Sequence, residues 1–254
     1  MTRPTPDGIH LQGHKVLITG AARGLGASFA RALHAAGAQV AISDLLHAQG
    51  QALAQALGEG AFYVPLDLEQ PESIQEAVHQ AAQRMGGLDG LVNNGAVTSS
   101  GGKTLDELDI DMWDKVMRVN VRGTWLTTRA ARPHLAASGR GRIVNLASDT
   151  ALWGAPKLLA YVASKAAVVG MTRSLARELG PEAITVNAIA PGLTLVEATA
   201  YVPAQRHAHY LQGRALQRAQ VPEDIDAAVL FLLSQASGFI TGQLLPVNGG
   251  FVMN

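Results

Sequence analysis

The sequence contains no cysteine, which excludes disulfide bonds, thiolate nucleophiles and zinc–cysteine sites. Aromatic residues are also scarce, at 5% of 254 residues, whereas 27 residues are glycine. With 48% hydrophobic and 16% charged residues, the composition is typical of a globular protein rich in small side chains. A chain of this length can bury a well-formed core, either as one α/β domain or as two small domains.

The chain also lacks an excess of charge of either sign. Lys and Arg total 20, and Asp and Glu total 20, so we expect no nucleic acid and no anionic membrane as partner. Residues 1–8 are polar and include two prolines, unlike a signal peptide, and the apolar run at 227–233 is too short to span a bilayer. These features predict a soluble, cytoplasmic protein.

Strand-like and helix-like patterns alternate along the chain. Hydrophobic runs predict seven strands, at residues 15–19, 39–43, 61–65, 88–92, 142–146, 184–190 and 243–247. Helical patterns cover about 27–36, 48–57, 71–85, 112–137, 159–179 and 222–233, and Pro133 could interrupt the fourth of them. This alternation predicts an α/β fold with one doubly wound, seven-stranded parallel sheet and helices on both faces. Residues 193–220 break the rhythm and are interpreted as a substrate-loop insertion.

A glycine-rich turn follows the first predicted strand and opens the first helix. Gly20, Gly24 and Gly26 would let the backbone approach a pyrophosphate, although a tight turn without a ligand is the alternative. Asp44 ends the second strand 18 residues after Gly26. Its carboxylate could bind both hydroxyls of an adenine ribose and repel a 2′-phosphate, or it could cap the next helix.

Polar residues also end the later strands. Asp67 and Leu68 could receive the adenine edge, or Asp67 could cap the following helix, and Asn93 and Asn94 could tie down loops. Asn120 lies inside a helical pattern, although asparagine is a poor helix former. This position predicts either a polar role or a local distortion of the helix, and the distortion is the preferred interpretation.

Tyr161 and Lys165 are four residues apart in a helical pattern and would share one helix face. An ammonium ~4 Å from a phenol, at an effective dielectric of ~20, stabilises the phenolate by roughly 4 kcal/mol, or about three pKa units. The pair could then act as a general acid/base near neutral pH, with Ser148 thirteen residues before the tyrosine. For the pair alone, an exposed amphipathic helix is the alternative.

These positions together form a recognisable pattern. The motifs Thr19-Gly20-x-x-x-Gly24-x-Gly26, Asn93-Asn94-Gly95-Ala96 and Pro191-Gly192, with Asn120, Ser148, Tyr161 and Lys165, resemble the short-chain dehydrogenase/reductase family. The resemblance extends from about residue 10 to Asn248-Gly249-Gly250. It implies a single Rossmann domain over residues 1–254 and an enzyme that uses a nicotinamide cofactor.

The resemblance also implies roles for individual residues. Tyr161 would be the general acid/base, and Lys165 would lower its pKa and hold the nicotinamide ribose. Ser148 would hydrogen-bond the substrate oxygen, and Asn120 would anchor a water-linked proton relay. The residues lining the cofactor would be Gly20, Arg23, Gly24, Leu25, Gly26, Asp44, Asp67, Leu68, Asn94, Gly95, Ala96, Tyr161, Lys165, Pro191, Gly192 and Thr194.

The sequence departs from the family pattern at two positions. Ala96 stands where glycine is usual, and Val196 replaces the threonine that usually bonds the carboxamide, which Thr194 could partly replace. In some relatives a basic residue at the position of Arg23 binds the NADP phosphate. The carboxylate of Asp44 is the stronger signal, so we expect NAD rather than NADP.

The residues expected on the substrate side predict a mid-sized, moderately hydrophobic alcohol or ketone. They are Leu152, Trp153, Pro156, Leu193, Tyr201 and Tyr210. Asp149 could instead favour a polyol or an amine, but a solvent-facing loop acid is the expected state. His207 and His209 have no acid cluster nearby in the sequence, so no metal is expected.

The leading hypothesis is reversible NAD-dependent oxidation of a secondary alcohol to its ketone. The alternatives are a 3-oxoacyl-[acyl-carrier-protein] reductase, a polyol or sugar alcohol dehydrogenase, and a non-catalytic NAD-binding protein. The resemblance further implies a homotetramer or homodimer formed through the helices near 112–137 and 158–180.

Overall fold

A parallel sheet forms the centre of the computed structural model, which describes residues 9–253. Segment 1–8, interpreted above as unlike a signal peptide, lies outside the described residues. The strands are β1 (Lys15–Thr19), β2 (Gln39–Asp44), β3 (Ala61–Pro65), β4 (Gly90–Asn93), β5 (Arg142–Leu146), β6 (Thr185–Pro191) and β7 (Leu244–Val247). Their order in the sheet is β3-β2-β1-β4-β5-β6-β7, and all neighbours pair in parallel. The predicted doubly wound seven-stranded sheet is therefore confirmed.

Helices connect the strands. They are α1 (Gly24–Ala35), α2 (His47–Leu57), α3 (Pro71–Met85), α4 (Ile110–Val116), α5 (Thr124–Ser138), α6 (Thr150–Trp153), α7 (Leu159–Leu179), α8 (Ala204–Gly213) and α9 (Glu223–Leu233). No helix within residues 9–253 is both long and apolar enough to cross a membrane.

The two faces of the sheet carry separate hydrophobic clusters, because successive strand residues point to opposite sides. In β1, Val16 and Ile18 join the cluster that includes Leu33 of α1. Leu17, between them, joins the cluster that includes Leu135 of α5. Helices therefore cover both faces, as the alternating pattern predicts.

The helix predicted over about 112–137 is distorted, but not at Pro133. Pro133 lies inside α5 without ending it, so the predicted interruption there is wrong. The irregularity lies instead at Met117–Gly123, a π-helix that contains Asn120 and joins α4 to α5. Asparagine is a poor helix former, and single π-helical turns often occur at functional sites.

The strand ends position the residues that the sequence analysis singled out. In a parallel sheet all carboxyl ends meet at one edge, and the strand order reverses between β1 and β4. Thr19, Asp44, Asn93 and Pro191 each end a strand at this edge, and Ser148 follows β5 there. Segment 193–220 adds no strand to the sheet; it contributes a short 3₁₀ turn, α8 and an isolated bridge between Thr194 and Gln220.

Candidate active site

A cleft of about 420 Å³ lies at the carboxyl edge of the sheet. All of the predicted site residues except Gly26 and Asn120 line it. The lining residues among them are Gly20, Arg23, Gly24, Leu25, Asp44, Asp67, Leu68, Asn94, Gly95, Ala96, Ser148, Tyr161, Lys165, Pro191, Gly192 and Thr194. The structure thus brings the predicted cofactor residues other than Gly26, and three of the four predicted catalytic residues, into one cleft.

The glycine turn is fixed by Asn94. Its Nδ2 donates to the carbonyl oxygens of Thr19 at 2.9 Å and Gly20 at 2.8 Å. Gly26 does not line the cleft, because it packs beneath the turn: a Cβ there would lie 2.2 Å from the Gly20 oxygen and 2.6 Å from Asn94 Nδ2. Asn94 therefore ties the end of β4 to the turn after β1.

The carboxylate of Asp44 holds the same turn from the other side. Its Oδ2 accepts from the backbone N–H of Ala22 at 2.9 Å, and its Oδ1 accepts from Leu46 N at 3.0 Å. Helix α2 starts at His47 with Leu46 as its N-cap, so the alternative of Asp44 as helix cap is wrong. Its side chain is partly exposed at the cleft.

Asp67, like Asp44, accepts a hydrogen bond from a nearby backbone N–H group. Its Oδ1 accepts from Glu69 N at 2.8 Å, whereas the N-cap of α3 is Gln70. The capping alternative is therefore wrong for Asp67 as well. Arg23 is exposed beside the turn and occupies the N-cap position of α1 without capping that helix through its side chain.

The Gly95-Ala96 order follows from packing. A Cβ on Gly95 would lie 2.7 Å from Leu68 Cδ1 and 3.2 Å from the backbone N of Gly20. Ala96 has no left-handed backbone, so alanine is unstrained at this position. This chain therefore needs its glycine at 95 and tolerates a methyl group at 96.

Lys165 is held by the main chain. Its Nζ donates to the carbonyl oxygen of Leu146 at 2.6 Å and lies 5.6 Å from the centroid of the Tyr161 ring. The side chain is 4% exposed, and burial lowers its pKa to about 8. The main-chain contact had no sequence signal, because it uses a backbone oxygen.

The phenol of Tyr161 behaves differently from the sequence expectation. Burial raises its pKa above the ordinary value, and hydrogen bonding with Ser148 opposes only part of that rise. The Lys165 ammonium hydrogen-bonds the carbonyl oxygen of Leu146, and the lowering of the Tyr161 pKa expected from its charge stays a prediction. The resting tyrosine is thus a neutral proton donor.

Ser148 is buried at the end of β5 and is positioned by its neighbour. The hydroxyl of Thr150 donates to Ser148 Oγ at 2.8 Å, and the N–H of Thr150 lies 3.3 Å from the same oxygen. Ser148 Oγ consequently accepts its hydrogen bonds from Thr150, and its own hydroxyl proton can be donated to a ligand in the cleft.

Asn120 lies in a distorted stretch of helix and also has a polar role, the two alternatives that the sequence analysis left open. Besides lying in the π-helix, its Oδ1 accepts from Val97 N at 2.8 Å, and its Nδ2 donates to Val97 O at 3.1 Å. The same Nδ2 donates to Ser164 Oγ at 3.0 Å. Ser164 was missed by the sequence analysis, although it directly precedes Lys165.

The substrate-side predictions need correction. None of Leu152, Trp153, Pro156, Leu193, Tyr201 and Tyr210 lines the cleft. Asp149 is 0% exposed rather than solvent-facing, and Tyr210 is 2% exposed. The two side chains meet inside the protein, where the Tyr210 hydroxyl donates to Asp149 Oδ1 at 2.7 Å.

The cleft walls beyond the predicted set are mostly apolar. They include Val97, Thr98, Val119, Val196, Ala198 and Thr199. Val196 drew attention only as a departure from the family pattern. Thr194, expected to compensate for it, is buried and donates its hydroxyl to Gly192 O at 3.0 Å.

The two histidines of the insertion take no part in a metal cluster. The His209 ring packs 5.3 Å from Phe251 and 5.7 Å from Trp153, measured between ring centroids. Within the part of the chain that the structure describes, no group of three or more His, Asp or Glu side chains is arranged to hold a metal.

Comparison with known proteins agrees with this fold and cleft. A family model described as enoyl-(acyl carrier protein) reductase matches residues 20–252. A 3-alpha-(or 20-beta)-hydroxysteroid dehydrogenase of Mycobacterium tuberculosis is 39% identical over 242 residues, covering 95% of this chain and 90% of the relative. A 3-oxoacyl-[acyl-carrier-protein] reductase of Aquifex aeolicus is 35% identical, covering 95% of this chain and 98% of the relative.

A solved structure is similarly close. The 3-ketoacyl-(acyl-carrier-protein) reductase from Brucella melitensis, complexed with NADH, superposes with a TM-score of 0.90 at 32% identity, covering 96% of this chain and 100% of that one. The chain belongs to the short-chain dehydrogenase/reductase family, as its motifs indicated. It is an oxidoreductase of that family that acts on CH–OH groups.

Proposed function

We propose that this protein catalyses reversible, NAD-dependent hydride transfer between a secondary alcohol and its ketone, with a mid-sized hydrophobic or aromatic substrate. The observation that carries the proposal is that one cleft joins the glycine turn and Asp44 at one end to Ser148, Tyr161 and Lys165 at the other. The apolar walls and the relatives named as hydroxysteroid dehydrogenases support a hydrophobic substrate.

The cleft fits a nicotinamide dinucleotide. No side chain caps the N-terminus of α1, so its first backbone N–H groups are available for a phosphate. At the cleft edge Asp44 presents a partly exposed carboxylate suited to ribose hydroxyls. The Brucella melitensis neighbour, solved with NADH, supports the same assignment. When bound, the cofactor supplies or accepts the hydride.

The observed contacts and the family resemblance together support a role for each catalytic residue. In the reduction direction the neutral Tyr161 phenol would donate its proton to the carbonyl oxygen as negative charge develops there. Ser148, whose acceptor side is engaged by Thr150, would donate a second hydrogen bond to that oxygen. Lys165 would contact the nicotinamide ribose, and Asn120 would anchor a proton relay.

A panel of substrates tests the proposal. Absorbance at the reduced-nicotinamide band would follow NAD-coupled oxidation of 1-phenylethanol, 2-heptanol, a 3-hydroxysteroid and sorbitol, and reduction of an acetoacetyl thioester. We expect the aryl, aliphatic or steroid alcohols to be oxidised fastest. A preference for the thioester would favour the 3-oxoacyl reductase alternative, which the 35% identical Aquifex aeolicus relative supports. Fastest oxidation of sorbitol would favour a polyol dehydrogenase, whereas NAD binding without any turnover would indicate a non-catalytic protein.

Asp44→Ala is expected to raise the KM for NAD by about tenfold or more and to reduce the preference for NAD over NADP. The substitution removes the carboxylate that holds Ala22 N and Leu46 N and that would repel a 2′-phosphate. Steady-state kinetics with both cofactors provide the measurement. Asp111→Ala, at an exposed acid in the first turn of α4, is the matched control. A wild-type protein that prefers NADP would contradict the NAD assignment.

We further propose that residues 1–254 form one catalytic domain and that chains associate as a homotetramer or homodimer through the helices near 112–137 and 158–180, which include α5 and α7. Trp125 of α5 and Leu159 of α7 are 46% and 47% exposed in the single chain, which supports burial in an interface. Light scattering would report the mass of the particle. A cytoplasmic location stays a prediction that cell fractionation would test.

A further inference from the structure

The residue after Ser148 is a fully buried acid. Asp149 donates its backbone N–H to Pro191 O at 3.0 Å, which joins the ends of β5 and β6. Its carbonyl accepts from Leu152 N and Trp153 N, which starts α6. Its side chain is 0% exposed, and its Oδ1 accepts the hydroxyl of Tyr210 at 2.7 Å. Asp149 therefore connects the end of β5, next to Ser148, with α8.

Tyr210 is the point at which α8 is attached. Within this helix, all of whose residues the structure describes, Tyr210 is the one buried side chain. Its ring stacks on Phe251 with centroids 4.2 Å apart, and the Arg214 guanidinium lies 5.2 Å from its centroid. Trp153 Nε1 donates to the Tyr210 hydroxyl at 3.2 Å. A single tyrosine thus anchors a helix that is otherwise exposed or partly exposed.

The segment around α8 makes one contact with a residue of the cleft and a second contact beside it. The Tyr201 hydroxyl donates to the carbonyl oxygen of Thr98, which lines the cleft. Arg206 Nη2 donates to Pro156 O at 3.0 Å. Moreover, Tyr201 lies close enough to Tyr161 to influence its pKa. A shift of α8 would consequently move Tyr201 and with it the substrate side of the cleft.

Asp149 is a carboxylate buried away from solvent. Burial raises the pKa of Asp149 to about 7, while the Tyr210 hydrogen bond and the charge of Arg214 oppose the rise. Burying a carboxylate is unfavourable unless its hydrogen bonds are satisfied. Asp149 Oδ2 is buried without a hydrogen-bond partner, so the Tyr210 hydroxyl on Oδ1 is the side-chain contact from α8 that offsets part of this cost.

We propose that Asp149 and Tyr210 form an anchor that fixes α8 against the strand end presenting Ser148, which makes Asp149 a positioning residue for substrate binding. The proposal rests on the proposed dehydrogenase function for its catalytic consequence. The anchoring itself is independent of any activity.

Hydrogen–deuterium exchange tests the anchor without a substrate. In Tyr210→Phe, which keeps the ring but removes the donor, we expect the amides of α8 to exchange about fivefold faster or more, with β1 unchanged. In Asp149→Asn, whose amide oxygen can still accept from Tyr210, exchange should stay within about twofold of wild type.

The chain offers a matched control. Ser28 Oγ donates at 2.8 Å to Asp226, a partly buried aspartate whose pKa burial raises to about 6. Ser28→Ala, which also removes a hydroxyl donor from an aspartate, should leave exchange in α8 within about twofold of wild type. Equal exchange in Tyr210→Phe and Ser28→Ala would overturn the anchor.

Kinetics test the catalytic consequence, using the panel alcohol that the wild-type protein oxidises fastest. We expect Tyr210→Phe to raise the KM of that alcohol about fivefold or more, while the KM of NAD stays within about twofold of wild type. In the separate variant Asp149→Asn, the KM of the alcohol should stay close to the wild-type value. Looser α8 with an unchanged alcohol KM would overturn the positioning role. If the wild-type protein oxidises no alcohol, the dehydrogenase function and the catalytic role of the anchor both fail, and the exchange result then decides the anchor alone.

Discussion

Replacing Tyr161 with phenylalanine is expected to lower turnover by about 10²–10⁴-fold while NAD binding stays within about threefold of wild type. Phenylalanine keeps the ring beside the Lys165 ammonium, whose Nζ lies 5.6 Å from the ring centroid, and keeps the shape of the cleft wall. It removes the one hydroxyl proposed to exchange a proton with the substrate. Calorimetric titration with NAD, alongside steady-state rates, separates the two effects.

The role of Tyr161 also predicts the direction in which the wild-type oxidation and reduction rates change with pH. Burial raises the pKa of Tyr161, so the phenol is protonated at neutral pH and ready to donate during reduction. Oxidation needs the phenolate, and its rate should therefore rise with pH, whereas the reduction rate should not rise. Burial lowers the pKa of Lys165 to about 8, so its charge falls above that pH. Weaker binding of the nicotinamide ribose by neutral Lys165 would then limit the rise.

Tyr201→Phe is the matched comparison, since it removes a hydroxyl from a second tyrosine near the cleft. That hydroxyl donates to Thr98 O rather than to a reacting atom, so a fall within about tenfold is expected. A Tyr161→Phe variant that retained more than about a tenth of wild-type turnover would contradict the acid/base role. Loss of NAD binding in the same variant would indicate damaged packing instead of lost chemistry.

The cofactor end of the site could be predicted from sequence because its signals are local. Gly20 follows β1, Gly24 opens α1 a few residues later, and Asp44 ends β2, and both strands have a clear hydrophobic pattern. Parallel strands end at one edge of the sheet, which brings these residues together. Asn120 was recognisable as out of place for the same reason: its low helix propensity is a property of one residue in its own helix. In the structure, Asn120 lies in the π-helix Met117–Gly123 rather than in a regular α-helix.

The substrate end was mispredicted because its contacts connect distant parts of the chain. Asp149 meets Tyr210 across 61 residues, and nothing adjacent to either one indicates that both are buried. The same holds for Lys165, whose partner is a main-chain oxygen 19 residues away. Residue type and spacing predicted that Tyr161 and Lys165 share a helix face, but the direction of the ammonium depends on the strand packed behind it.

Gly26→Ala is expected to be the most damaging single methyl addition in the cofactor half. The added Cβ would lie 2.2 Å from the Gly20 carbonyl oxygen, 2.6 Å from Asn94 Nδ2 and 2.8 Å from Ala21 Cα. Two of these atoms belong to the backbone and cannot rotate away, and moving Asn94 breaks its bonds to Thr19 O and Gly20 O. We expect a loss of about 1–3 kcal/mol or more in the free energy of unfolding. The Kd for NAD should rise about 100-fold, because the displaced turn no longer presents its N–H groups.

Gly180→Ala separates this collision from the general effect of replacing glycine. Gly180 follows α7 with φ of −55° and ψ of −42°, and a Cβ there would meet nothing within 4 Å. Removing its unfolded-state freedom should stabilise the protein by about 0.4–1 kcal/mol. Urea unfolding monitored by circular dichroism, together with calorimetric NAD titration, would compare the two variants. If Gly26→Ala unfolded at the same urea concentration as wild type and bound NAD equally well, the turn would be able to move, and its close packing would not be what holds the cofactor end of the cleft in shape.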